Sequence, residues 1–218
     1  LHALAERVRA WNREHEQRRR ALVSIDDGHA ECMLLAPIFE QLPELQPALF
    51  VTAALLDGDR RLLPLTALYA WCAATGHTPS SVAERLGLDR MDLKRMPEAQ
   101  QRERLAAAGI PLEPADELML ERTQLEQLRD AGWWIGSHGP EHFDLREHDA
   151  STLTERLLAA RRSLLAFGGT PYLAWPEGRC NRTMLVLARA AGFARQFGLD
   201  SEPGCERDPE LILRSVWT

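Results

Sequence analysis

The 218-residue sequence has no apolar run approaching the roughly 20 uncharged residues that a membrane-spanning helix needs. Its longest apolar stretches, Cys32–Phe39 and Leu62–Ala74, are short and soon interrupted. It has no basic excess either: 26 Lys+Arg stand against 32 Asp+Glu, for a formal charge of −6. That balance argues against a general nucleic-acid binder. Lysine is nearly absent, Lys94 being the only one, and the remaining basic residues are arginine. The four cysteines, Cys32, Cys72, Cys180 and Cys205, form no CxxC pair, so neither a zinc knuckle nor a disulfide framework is indicated. No internal repeat and no low-complexity tract occurs. What is present is ordinary for a folded domain: 45% apolar and 27% charged residues.

Strand-like and helix-like patterns alternate along most of the chain. Leu4, Val8 and Trp11 recur at helical spacing. Ala21–Ile25 reads as a strand, Cys32–Leu42 as a helix and Ala48–Thr52 as a strand again. Thr123–Glu126 has the form of a capping box opening a helix that Gly132 closes, and Trp133–Ser137 follows as a strand. Thr152–Glu155 reads as a second capping box, with Gly168-Gly169 stopping its helix before a strand at Tyr172–Trp175. Asn181 caps a further helix ahead of a strand at Phe193–Phe197. Strand and helix in alternation, with short links, predict an α/β fold built on a parallel sheet or barrel. The stretch of about 59–116 breaks the rhythm with several helical patterns and no strand. It is expected to be a helical insertion that packs as a small subdomain, since surface insertions cost little.

Three places carry candidate chemistry. Ser24-Ile25-Asp26-Asp27-Gly28 puts two adjacent carboxylates where an apolar strand ends, at the end of a parallel sheet that binds ligands; an Asp-Gly turn merely leaving the strand is the simpler alternative. Gly136-Ser137-His138-Gly139-Pro140-Glu141-His142 sits at another strand end, and its Gly-Pro favours a loop able to turn both imidazoles to one point. With Asp27, the two histidines would make a three-ligand set with an open position, the form of a catalytic zinc site; two surface histidines are the alternative. Ala174-Trp175-Pro176-Glu177-Gly178 follows a third strand and defines a tight backbone able to aim N–H groups at a substrate oxygen.

In this order, together with Ala48–Val51 and the Phe143-Asp144-Leu145 that follow His142, these motifs resemble the polysaccharide deacetylases, the NodB-homology or carbohydrate esterase family 4 group. The resemblance is nearest to the exopolysaccharide and poly-N-acetylglucosamine deacetylase-like members. It implies a distorted or incomplete (β/α) barrel that removes N-acetyl, or O-acetyl, groups from sugars with a divalent metal, zinc first, with nickel, cobalt or manganese as alternatives. By position, Asp26 is implied as general base and Asp27, His138 and His142 as metal ligands. The backbone N–H of Glu177, after Pro176, is implied as an oxyanion donor. Trp175 is placed to stack on a sugar or to fill the core, and His29 to line the site. His148 is expected to face solvent, and Arg18–Arg20 to form a solvated turn.

Two departures from the family pattern stand out. The arginine that often orients the base in the third motif is replaced by Ala174, as in the poly-N-acetylglucosamine-type members. The late Leu-x-His motif is absent, since Glu202–Thr218 contains no histidine. The expectation is therefore one domain over 1–218, shortened at its N-terminus, with the insertion at about 59–116. Its substrate would be an N-acetylated poly- or oligosaccharide, with no nucleic acid and no transmembrane segment. No signal peptide is recognisable, leaving bacterial cytoplasm or cell envelope. Non-sugar amide or imide hydrolysis on the same scaffold, and a catalytically impaired polysaccharide-binding member, are the competing readings.

Overall fold

A computed structural model describes residues 1–60, 62–89, 92–93, 96–112, 118–140, 142, 145–201 and 208–216. Cys205, and Glu141, Phe143 and Asp144 of the second motif, lie outside the described residues. Six parallel strands form one sheet in chain order: β1 (Ala21–Asp26), β2 (Leu45–Val51), β3 (Trp134–Ser137), β4 (Tyr172–Ala174), β5 (Arg195–Leu199) and β6 (Leu211–Arg214). A parallel neighbour can be reached only by a crossover, so helices clothe the outside of the sheet. They are α1 (His2–Glu14), α2 (Ala36–Glu40) with a preceding 3₁₀ segment at Ala30–Leu35, α3 (Ala53–Leu56), α7 (Arg122–Asp130), α8 (Ala150–Phe167) and α9 (Arg182–Ala190). Between β2 and β3 lie α4 (Pro64–Thr75), α5 (Pro79–Arg85) and α6 (Glu98–Ala107). No helix among the described residues is long and apolar enough to cross a membrane.

The sheet is curled into an open barrel. Laid flat, six strands would hold β1 and β6 about 24 Å apart. Yet the Arg214 side chain at the end of β6 bonds Ser24 and Asp26 on β1. Period-2 alternation sorts the side chains accordingly. Ala48, Phe50, Ala174 and Phe197 pack inside, with Leu22, Trp134 and Tyr172 against them. Leu45, Leu49, Val51, Ile135, Leu173 and Trp175 point outward into the main core beneath the helices. The adjacent Trp133 and Trp134 divide in this way: Trp133 meets Phe39 edge-on in the outer core, and Trp134 meets Tyr172 inside. The insertion has a small core of its own around Leu68, Cys72, Val82, Leu93, Leu105 and Ile110.

Several helix starts differ from the sequence reading. The α7 cap is Glu121, boxed with Gln124, rather than Thr123 with Glu126. The α8 cap is Asp149, whose carboxylate accepts from the Thr152 N–H. In both cases an acidic residue two or three positions earlier displaces the threonine, because a carboxylate caps the positive helix end with charge as well as a hydrogen bond. Asn181 does cap its helix, Thr78 caps α5, and Gly168 closes α8 in the left-handed conformation at φ 78°.

Gly136 is required by proximity. A Cβ there would come within 2.6 Å of the Phe50 ring and 3.1 Å of the Tyr172 carbonyl oxygen. Phe50 is pinned by Phe197 on one side and by the Arg214 guanidinium, 5.4 Å from its centroid. Gly136→Ala is therefore expected to destabilise the fold by about 1–3 kcal/mol through overpacking, measured by urea unfolding.

Candidate metal centre

β2 acts as the bracket of the site. Its Phe50 carbonyl accepts the Asp27 N–H at 2.9 Å on one side, and the next carbonyl, Val51, accepts the His138 N–H at 2.7 Å on the other. One buried central strand thus fixes the backbones of two candidate ligands that lie far apart in sequence. At Asp27 the chain turns abruptly: φ is 76° and the Gly28 N–H donates to the Asp26 carbonyl two residues back. This is a γ-turn of the rare positive-φ type, sparsely populated for a residue with a side chain. Gly28, also left-handed at φ 83°, would drive a Cβ into Leu55 and Val51. The turn sends Asp26 and Asp27 in different directions.

Asp27 Oδ1 lies 3.2 Å from His142 Nε2 and 3.5 Å from His138 Nε2. All three donor atoms lie within 4.8 Å of one another. Ligand bonds of about 2.0–2.1 Å to a tetrahedral zinc would separate donors by about 3.3 Å. Asp27 Oδ1 is also buried without a hydrogen-bond partner, an expense that a cation would relieve. His138 Nδ1 bonds the Ala174 carbonyl at 2.9 Å, which assigns its proton to Nδ1 and leaves the Nε2 lone pair directed at Asp27. Burial pushes the His138 imidazole below its ordinary pKa, outweighing the attraction of Asp26 and Asp27, so it is neutral and ligand-competent at neutral pH. The N₂O donor set fits a divalent cation of the zinc type.

Asp26 has a different partner. Arg214 donates to it in a fork, Nη1 to Oδ1 at 2.7 Å and Nη2 to Oδ2 at 2.9 Å, with Nη1 also reaching Ser24 Oγ at 3.0 Å. Burial works to raise the Asp26 carboxyl, but the electrostatic pull of the neighbouring His138 ring and the bonds and charge of Arg214 together prevail and hold it below the usual carboxylate range. Arg214 was not singled out in the sequence, which showed only the missing third-motif arginine. Its one signal is that Leu211–Arg214, like Ala21–Asp26, is a short apolar run ending in a charge.

A cavity of about 460 Å³ opens above these groups. Asp26, Asp27, His138, His142, His29 and Glu177 line it. Glu177 adopts a left-handed φ of 53° directly after β4. Trp175 and Pro176 do not line it: Trp175 is fully buried, its indole N–H donating to Gln196 at 3.2 Å, because alternation turns it to the outer core. The insertion does more than pack. Leu63, Leu65, Thr66, Tyr69 and Ala70 form one wall of the cavity, and Thr66 Oγ1 bonds His29 Nε2 at 3.1 Å. Asp27→Ala or His138→Ala is expected to abolish stoichiometric zinc binding in titration calorimetry while leaving the far-ultraviolet circular dichroism unchanged.

Residues 115–195 match the sequence model of the polysaccharide deacetylase family. That span takes in both histidines and the Trp-Pro-Glu-Gly turn, while the aspartates lie ahead of it. No curated protein matches the sequence. Among solved structures, the fold is similar to a de-N-acetylase from Aggregatibacter actinomycetemcomitans, at 13% identity and a TM-score of 0.54, covering 89% of this chain and 68% of that one. It is similar also to the BpsB deacetylase domain from Bordetella bronchiseptica, at 16% identity and 0.52, covering 89% and 69%. IcaB from Ammonifex degensii matches at 15% identity and 0.51, covering 90% and 67%. The family model thus matches the part of the chain that carries both histidines, and these structures share the barrel fold with it.

Proposed function

We propose that the chain is a metal-dependent hydrolase that removes N-acetyl groups from a carbohydrate during polysaccharide modification or biosynthesis. The observation that carries this reading is the division of labour between adjacent carboxylates: Asp27 faces two imidazoles and Asp26 faces a guanidinium. A divalent cation held by Asp27, His138 and His142 would polarise the acetamido carbonyl and acidify the attacking water. Asp26, ionised and aimed by Arg214, accepts the proton of that water as its oxygen adds to the carbonyl carbon. The backbone N–H of Glu177 serves the developing oxyanion. When the C–N bond breaks, Asp26 holds the proton that the departing sugar nitrogen requires, and acetate and a free amine result.

An impaired, purely binding role draws its strength from the missing third-motif arginine and the missing late Leu-x-His histidine. Arg214 supplies a guanidinium to the base from a different strand, which favours an active site. Carbohydrate rather than another amide as substrate follows the family and its structural relatives.

The test is acetate release from N-acetylglucosamine oligomers by zinc-loaded protein. Asp26→Asn is expected to retain one zinc per chain and to lose about 10²–10⁴-fold in kcat. A zinc-replete, fully active Asp26→Asn protein would overturn the assignment of the base. Arg214→Met removes two influences that lower the Asp26 pKa and leaves the burial that raises it. The carboxyl then protonates at higher pH, so the acid limb of kcat/KM is expected to move upward, with a loss of about 10–100-fold at neutral pH.

A further inference from the structure

Of the groups expected to face solvent, His148 is half-buried and lines a cavity beside Pro140, and Arg18–Arg20 belong to an ordered basic surface. Charge is spread unevenly along the chain. Residues 1–20 hold six arginines and three glutamates, a net +3, whereas the rest of the chain carries −9. Two shallow grooves flank α1 and share Arg19 and Arg20. One, of about 440 Å³, is lined also by Arg9, Arg13 and Arg18; the other, of about 410 Å³, by Arg7, Leu4, Val8 and Trp11. Among the described residues Glu44 is the only acid lining either, and Arg9 already bonds its carboxylate at 2.7 and 3.0 Å.

This surface is held in shape. The Asn12 amide donates to the Arg19 carbonyl at 2.9 Å, and its oxygen accepts the Arg19 N–H at 3.0 Å. Arg20 donates to the Pro43 and Leu45 carbonyls and to Gln46 Oε1. The Arg19 guanidinium lies 5.1 Å from the centroid of the Trp11 ring, on which His15 stacks at 4.3 Å. Arg7, Arg13 and Arg18 are exposed and make no hydrogen bond or ion pair among the described residues. Arg7 and Arg13 stand about 9 Å apart along the helix axis, a spacing that meets an array of phosphates better than a single anion. Trp11 is 37% exposed beside them. An indole among arginine stems is the composition that settles between headgroups and hydrocarbon.

We propose that α1 and the Arg18–Arg20 loop form a docking surface for a bilayer rich in anionic phospholipid. The arginines are drawn to the headgroup phosphates, and Trp11 enters the interfacial layer beside them. No helix inserts, so the attachment is reversible and weakens with salt. The surface lies at the end of the barrel opposite the metal centre: Arg20 precedes β1 and Asp27 follows it, across a six-residue strand about 20 Å long. The metal cavity then faces away from the bilayer and stays open to substrate. This surface stands independently of the deacetylase reading.

The test is flotation of the full chain with vesicles of phosphatidylglycerol and phosphatidylcholine in equal parts, or of phosphatidylcholine alone. It is run at low salt with a chelator present, so that the metal centre plays no part. Wild type is expected to bind the anionic vesicles at least about 100-fold more tightly than the neutral ones, and to be released by high salt. The triple variant Arg7→Gln/Arg13→Gln/Arg18→Gln keeps helix propensity and is expected to lose about 100-fold in affinity, about fivefold per charge. The triple variant with Lys at the same three positions is expected to keep binding. Equal binding to both kinds of vesicle, or a glutamine variant that binds as wild type does, would overturn the proposal. Binding to soluble dextran sulfate with none to anionic vesicles would overturn it too, assigning the surface to a soluble polyanion.

Discussion

The forked bond between Arg214 and Asp26 is the constraint on which the rest of the arrangement turns. Mechanically it spans the open edge of the barrel, tying β6 to β1 where no backbone ladder joins them among the described residues. Chemically it occupies one of two adjacent carboxylates and keeps it ionised, while the other closes on both imidazoles. Without a cation of its own, Asp26 would stand as a second partly buried acid 3.7 Å from His138, competing for the same ring. Closure of the barrel and separation of the aspartates are thus one interaction seen from two sides.

The strained turn at Asp27 belongs to the same design. A γ-turn with positive φ is an unfavourable conformation for an aspartate, and it persists because neighbours over-determine it. The Phe50 carbonyl holds the Asp27 N–H, Gly28 leaves room for Leu55 and Val51, and Arg214 secures Asp26 just before it. The β4 exit repeats the device with Glu177 and Gly178, both at positive φ, and there a Cβ on Gly178 would strike Leu199. Two of the strand ends around the cavity therefore trade backbone comfort for the direction of a side chain.

Much of this was legible in the sequence. The strand-end carboxylates and the histidine pair were visible because chemistry-bearing residues sat next to apolar runs and turn residues. Parallel topology followed from alternation. What could not be read was long-range pairing. Arg214 lies 188 residues from Asp26, in a four-residue strand with no motif around it. Trp175 looked suited to a sugar because it neighbours a tight turn, but only the strand register shows that its side chain points away from the cavity. The insertion looked like packing alone because a helical pattern does not say which face meets a neighbouring site; Thr66 and Tyr69 acquire meaning only from where α4 docks. The caps misjudged at Thr123 and Thr152 show the same limit locally, where two neighbouring capping residues competed.

The most direct test of the account is X-ray absorption spectroscopy at the zinc edge, on zinc-loaded wild type and on Asp26→Asn. The account predicts the same first shell in both, two imidazole nitrogens and one carboxylate oxygen at about 2.0–2.2 Å, completed by solvent oxygen. A first shell that loses a carboxylate in Asp26→Asn, or that contains fewer than two imidazoles in wild type, would contradict it.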